Sequence, residues 1–195
     1  MSVPLPGIAE YIIALLHEEI CNTFEALLPW FAKDKTVRTF SSLHEEWNID
    51  QVLEHVLLAN HYLLILIEKG RKKALKKTDR LKIKQILDSY ELSNPRLEEI
   101  GINNSFKWKC PDHMIPSGKR SLDHIQHEVM KQKSLLLENL HLLNCGEGVM
   151  YKTYMSVHSL GRLDVYQYIY FLLKHMQRHI QQMLRIESEY LSSNI

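Results

Sequence analysis

His175 and His179 stand four residues apart in LLKHMQRHIQQMLRIE, residues 172–187. Residues at that spacing on a helix project side by side, with Cβ atoms about 5–6 Å apart, so both imidazoles can reach one metal ion. This is the two-histidine helical geometry that zinc enzymes use in HExxH, here without the glutamate. Eleven histidines in 195 residues make one such pair expected by chance, so its place on the helix has to decide. At ~100° per residue, Tyr168, Leu172, His175, His179, Met183 and Ile186 fall in one narrow stripe. Gln167, Lys174, Gln177, Gln181 and Arg185 lie on the other side. Both imidazoles therefore sit in the middle of the face that should be buried. A polar group placed there without a partner costs roughly 1–3 kcal/mol. Two such costs on adjacent turns call for a compensating interaction, and a shared cation supplies one.

The remaining histidines separate by position. His124, His127 and His141 project away from the apolar stripe of their own helix, and His61 falls among polar positions. We assign these no role. His17, His44 and His113 lie at an edge or in loops and carry no readable signal. His55 differs. The apolar arc of its helix contains Val52, Ala59, Tyr62, Leu63 and Leu66, and His55 falls on the flank in line with Ala59 and Leu66. It reads equally well as a third ligand from a facing helix or as a half-buried histidine with a hydrogen bond. Glu19 lies within the apolar arc of the first helix and reads as a carboxylate at the edge of the packed face.

Four long segments with helical period must position these residues. The first runs from about Pro6 to Leu28, with Ile12, Leu16, Ile20, Thr23 and Leu27 on one face. The second runs from about Ile49 to Lys69, with Asn48 as cap and Gly70 as stop, unless it continues into the basic residues beyond. The third follows the breaker-rich loop KCPDHMIPSGK. Ser121 caps it, and Leu122, Ile125, Val129, Leu136, Leu140 and Leu143 form its stripe. The fourth begins near Leu163 or Asp164 and runs to about Tyr190. Four amphipathic helices with one stripe each bury those stripes most economically against each other. The expected fold is all-α, a four-helix bundle in one domain spanning 1–195. Residues 71–110 are too long for a bare loop, and LKIKQILDSYE is expected to form a short helix ended by Asn94-Pro95.

Composition excludes several functions. The net charge of +1 provides no global field toward nucleic acid. Residues 69–84 hold nine Lys or Arg and one acid, but no aromatics interleave, so we read a solvated helix end and connector rather than a nucleic-acid patch. Cys21, Cys110 and Cys145 form neither a CxxC pair nor a disulfide framework, which fits a reducing compartment. The apolar run Ile12 to Leu16 is short and flanked by acids, unlike a secretory leader, and no stretch approaches the ~20 residues needed to span a bilayer. The expectation is a cytoplasmic protein.

The residues also carry a resemblance. WNIDQVLEHVLLANHYLL is similar to the second-helix signature of DinB-like (YfiT-like) proteins: a Trp, a short gap, then Val-Leu-x-His. HSLGRLDVYQYIYFLLKHMQRHIQQMLRIE resembles their fourth-helix signature, with a His and a Gly before the helix and H-x-x-R-H near its middle. FKWKCPDHMIPSGKR resembles the segment that leads into their third helix. Ser159 stands where a proline is common and Tyr168 where a tryptophan is common. The basic segment after Gly70 lies outside the signature. The resemblance implies a divalent metal held by one second-helix histidine and two fourth-helix histidines, matching His55, His175 and His179 here. It also implies a possible homodimer.

Three histidines leave an open coordination position, the mark of a catalytic rather than a structural site. All-imidazole ligation suits zinc, nickel or iron alike. Characterised proteins of the wider family include enzymes that use a low-molecular-weight thiol such as bacillithiol or mycothiol. Two function classes follow. One is a metal-dependent enzyme on a small molecule, of thiol S-transferase or hydrolase type, with metal-bound water or thiolate as nucleophile and no separate general base. The other is a non-catalytic metal-binding or helical interaction module.

Overall fold

In the computed structural model, which describes residues 7–193, the chain is mostly helical. Four long helices are α1 (Ile8–Leu27), α3 (Ile49–Leu75), α6 (Leu122–His141) and α7 (Val165–Ser193). Three short ones are α2 (Lys35–Arg38), α4 (Arg80–Leu87) and α5 (Pro95–Glu99). Each expected apolar stripe faces inward. Ile12, Leu16, Ile20, Thr23 and Leu27 of α1 are buried, as are Tyr168, Leu172, His175, His179, Met183 and Ile186 of α7. α3 packs on α7 and on α6, and α1 packs on the same two helices, so the four long helices share one core. No helix among the described residues is long and apolar enough to cross a membrane.

The helix starts follow local chemistry. Asn48 and Gln51 form a reciprocal cap on α3, each side chain accepting from the other's backbone N–H at 3.0 Å. Ser121 Oγ accepts from His124 N at 3.3 Å and starts α6. Asp164 and Gln167 repeat the reciprocal arrangement at the start of α7, at 3.1 and 3.2 Å. Pro6, the expected start of the first helix, lies outside the described residues, and α1 is helical from Ile8.

Several boundaries differ from expectation. α3 runs past Gly70 to Leu75, the second of the two ends that its sequence allowed. A Cβ at Gly70 would lie 3.1 Å from Val165 Cγ2, so this glycine allows close helix packing rather than ending a helix. Leu66, assigned to the buried arc, is 39% exposed. The buried face of α3 instead runs through Leu53, Val56, Leu57, Leu63, Leu64 and Ile67. Asn94 does not end α4, which stops at Leu87. It caps the further short helix α5, its Oδ1 accepting from Leu97 N at 3.1 Å, with Pro95 in the first turn, where a missing N–H is tolerated.

The all-α expectation omits one element. Lys152–Met155 (β1) and Gly161–Asp164 (β2) pair antiparallel just before α7. Four-residue strands are too short to show a period-two pattern in sequence. β2 leads directly into α7, and Tyr168 Oη donates to Tyr154 O at 3.1 Å, which ties that helix to β1.

The connection between α6 and the hairpin is packed tightly. Gly146 has φ +90, a left-handed conformation that favours glycine, and a Cβ there would lie 2.8 Å from Leu87 Cδ1. A Cβ at Gly148 would lie 2.6 to 2.8 Å from three carbons of the Tyr166 ring, which is fully buried. The Tyr166 hydroxyl donates to Leu143 O, so the ring cannot simply swing away. Gly148→Ala should therefore destabilise the fold by about 1–3 kcal/mol, the usual cost of overpacking. Denaturant unfolding should show a lower midpoint with an unchanged slope.

Candidate metal centre

His55, His175 and His179 converge. Their ligand nitrogens all lie within 4.8 Å of one another and all three residues are buried. Among the described residues this is the one group of three or more His, Cys, Asp or Glu side chains that could hold an ion. His175 and His179 reach it from adjacent turns of α7, and His55 from the facing surface of α3. The ring centroids are 4.5 Å apart for His175–His179, 4.6 Å for His55–His179 and 5.3 Å for His55–His175. His55 is thus buried rather than half-buried, and its ring faces the other two.

The hydrogen bonds set the tautomers. His55 Nδ1 lies 2.8 Å from Met114 O, and a carbonyl only accepts, so the proton is on Nδ1 and the Nε2 lone pair is free. His179 Nδ1 lies 2.8 Å from Gln182 Oε1. Gln182 Nε2 donates to Glu45 Oε2 at 3.0 Å, which fixes the amide's orientation and makes its oxygen the acceptor from His179. His179 Nε2 therefore also carries a lone pair. It sits 3.1 Å from His175 Nε2. A tetrahedral zinc with Zn–N near 2.0–2.1 Å has N···N edges of about 3.3 Å, so this pair already has the spacing of two ligands. His175 Nδ1 is buried and has no hydrogen-bond partner among the described residues.

Burial keeps the cluster neutral. It holds His175 far below the ordinary histidine range, helped by the positive forms of His179 and His55 and by Arg178. It lowers His179 to about 3, with further depression from His55 and Arg178 against a raising hydrogen bond from Gln182. His55 is lowered by burial and partly restored by Met114 O. Neutral imidazole is the form that binds metal. The donor set, tautomers and spacing together fit a divalent transition metal.

The surroundings are aromatic and cationic. Trp47 lies against His55 at 4.8 Å between centroids, and Trp108 meets His175 edge-on at 5.2 Å. The loop bearing Met114 is pinned by Glu54, only 1% exposed, which accepts from Ser117 Oγ and Gly118 N at 2.7 Å and faces Arg120 Nε at 3.3 Å. The Cys110 thiol lies 3.7 Å from His55 Nδ1. Burial, with Glu46 and Asp112 nearby, pushes its pKa up, so it is held as a thiol rather than a thiolate.

The other histidines are where sequence put them. His61, His124, His127 and His141 are exposed. Glu19 is half-buried and accepts from Gln177 Nε2 at 3.0 Å, away from the cluster's hydrogen-bond network. The supporting residues Glu45, Gln182, Trp108 and Met114 were not legible. Gln182 sits three residues after His179, a spacing that could have flagged it, but nothing local marks Glu45 or the Met114 carbonyl. The basic residues at the end of α3 gain an aromatic partner from a distant element, with Lys73 Nζ 3.0 Å from Tyr151 Oη.

No protein-family model matches the chain, and neither a curated protein nor a solved structure matches it.

The lowered pKa values give the metal-free protein a definite pH dependence. Each folded-state value is below the ~6.5 of an unfolded histidine, so the unfolded chain binds more protons in between. The stabilising contribution of the neutral cluster is present above pH ~6.5 and is lost as pH falls toward about 3. Asp164, raised to about 6 by burial, acts in the opposite sense between its unfolded value and about 6. Comparing variants cancels that effect. In chelator-treated protein, His179→Gln should flatten the rise of unfolding free energy with pH by up to about 1.4 kcal/mol per pH unit, one proton's worth. An unchanged slope would mean that His179 titrates normally.

Proposed function

We propose that this chain is a DinB-like (YfiT-like) four-helix-bundle protein that binds one divalent transition metal through His55, His175 and His179. We further propose that it is a metal-dependent enzyme acting on a small molecule, of thiol S-transferase or hydrolase type. The observation that carries the reading is the convergence of three buried, neutral imidazoles from two facing helices within 4.8 Å. The order of the segments along the chain and the packing of α1, α3, α6 and α7 around one core support the family assignment.

The chain's own residues divide the work. His55, His175 and His179 supply the nitrogen donors. Met114 O and Gln182 hold two of the rings in the tautomer that presents Nε2. Glu45 orients Gln182 and places a carboxylate behind it, an outer partner of the kind that raises a ligand's basicity. Trp47 and Trp108 cover the rings and restrict water. When bound, zinc, nickel or iron would supply Lewis-acid chemistry, lowering the pKa of a coordinated water or thiol.

A second reading is a non-catalytic metal-binding or helical interaction module. It is favoured by the 3.1 Å His175–His179 contact, which also serves as a hydrogen bond between two neutral rings.

Metal analysis of protein purified without an affinity tag should give about one divalent ion per chain, as a single three-histidine site requires. His179→Ala should remove it and leave a helical circular dichroism spectrum. A variant that keeps its metal would refute the ligand assignment.

Activity separates enzyme from module. The metal-loaded protein should transfer a low-molecular-weight thiol, such as bacillithiol or mycothiol, to an electrophilic dye faster than the metal-free protein does. Equal rates with every thiol, and with hydrolysable esters and amides, would leave the binding module as the function.

A further inference from the structure

Arg178 is an anomaly beside the proposed metal centre. It is the arginine between the two α7 histidines, and it is only 7% exposed. Buried guanidinium groups are ordinarily paired with carboxylates. Among the described residues no carboxylate forms an ion pair with Arg178. Its partners are neutral: Ile102 O, Ser105 Oγ at 3.4 Å and Phe106 O at 3.3 Å. A guanidinium has five N–H donors, so at least two are left without a protein acceptor. Burial lowers the pKa of Arg178, with only a partial opposing effect from Glu45.

Arg178 also borders open space. Arg178 lines a cleft of about 870 Å³ together with Asn104, Ser105, Phe106, Lys107, Trp108 and Lys109. The lining has three cations and no acid. It also has aromatic walls: Phe106 and Trp108 stack at 5.7 Å with 20° between planes, His158 stacks on Phe106 at 4.1 Å, and Arg178 lies over the Phe106 and Trp108 rings. Trp108 joins the cleft to the histidine cluster, since it also meets His175 at 5.2 Å and Phe171 at 5.9 Å. Arg178 follows His175 by three residues, which puts their Cβ atoms about 5–6 Å apart on the helix.

The geometry points to a carboxylate subsite. The cleft takes a small molecule with a flat apolar or aromatic body whose carboxylate pairs with Arg178 and is drawn in by Lys107 and Lys109. A planar guanidinium with two free N–H groups suits a planar carboxylate, and the rings suit a flat body. That this ligand is the substrate of the histidine site rests on the metal-dependent reading above. The anion site itself rests only on the cleft. A cation at the cluster would add positive charge on the same side and strengthen the attraction.

Benzoate is the probe, with inorganic phosphate as comparator, each titrated into metal-free and zinc-loaded protein. Binding is followed through the fluorescence and the indole NMR signal of Trp108, assigned by its loss in Trp108→Phe. The expected result is saturable benzoate binding in both forms, tighter with zinc, tighter than phosphate, and weakened by salt. Arg178→Gln should weaken it about tenfold, the loss expected of a charged hydrogen bond. Because Arg178 also holds the 102–106 backbone, a second variant is needed. Lys107→Ala/Lys109→Ala alters exposed side chains only and should weaken binding about threefold.

No saturable response to benzoate, phosphate binding as tight as benzoate, or benzoate affinity unchanged in both variants would overturn the proposal. His179→Ala keeps the two readings apart. If that variant retains zinc while Arg178→Gln still loses benzoate, the metal assignment falls and the carboxylate subsite stands. If zinc is lost and benzoate binding never depended on Arg178 or the lysines, the reverse holds.

Discussion

The structure turns on a cost that α7 imposes on itself. Its apolar stripe is buried in the core, and two imidazoles occupy the middle of it. Buried rings of this kind cannot be charged, and as neutral groups each still needs both nitrogens satisfied. The fold answers on one side with Gln182 and, through it, Glu45. On the other side it aims His55 at the same point and holds it there with the carbonyl of Met114. What remains is three ring nitrogens brought close together, His175 and His179 within hydrogen-bond distance of each other at 3.1 Å.

Much of the rest can be read as support for that convergence. Glu54, the residue before His55, is buried not as a ligand but as the post to which the 117–120 loop is tied. That loop carries on from Met114, so a single turn of α3 both supplies His55 and secures the segment whose carbonyl orients it. The reciprocal Asp164–Gln167 cap and the short hairpin set the start of α7, and so the height at which its histidines stand. Close contacts at Gly70 and Gly148 bring α3, α7 and the 143–150 turn near enough for the rings to meet.

The same neighbourhood joins neutral donors to an unpaired cation. Arg178 adds charge next to a site that already prefers its histidines uncharged. Among the described residues Arg178 makes no ion pair, and Glu45, the carboxylate nearest in effect, is bonded to Gln182 instead. Trp108 stands between the two features and touches both. The histidine cluster and the guanidinium thus lie on either side of one indole ring.

The sequence by itself determined the four amphipathic stripes, the caps at Asn48 and Ser121, and the unusual placing of His175 and His179, because helical period and capping are local and repeat within a few residues. It left His55 undecided between ligand and bystander, since helix phase tells which way a side chain leans but not what faces it. It missed the β1–β2 hairpin, whose strands are too short to show alternation, and it left the end of α3 open between Gly70 and the basic residues beyond, because a glycine that permits packing looks the same in sequence as one that stops a helix. Only the tertiary structure decided that the three imidazoles meet, that Gln182 and Glu45 hold one of them, and that Arg178 lacks a carboxylate. Those facts depend on which helices lie side by side and at what height. Residues more than a hundred positions apart are set there by the packing of the whole core, and no local spacing encodes it.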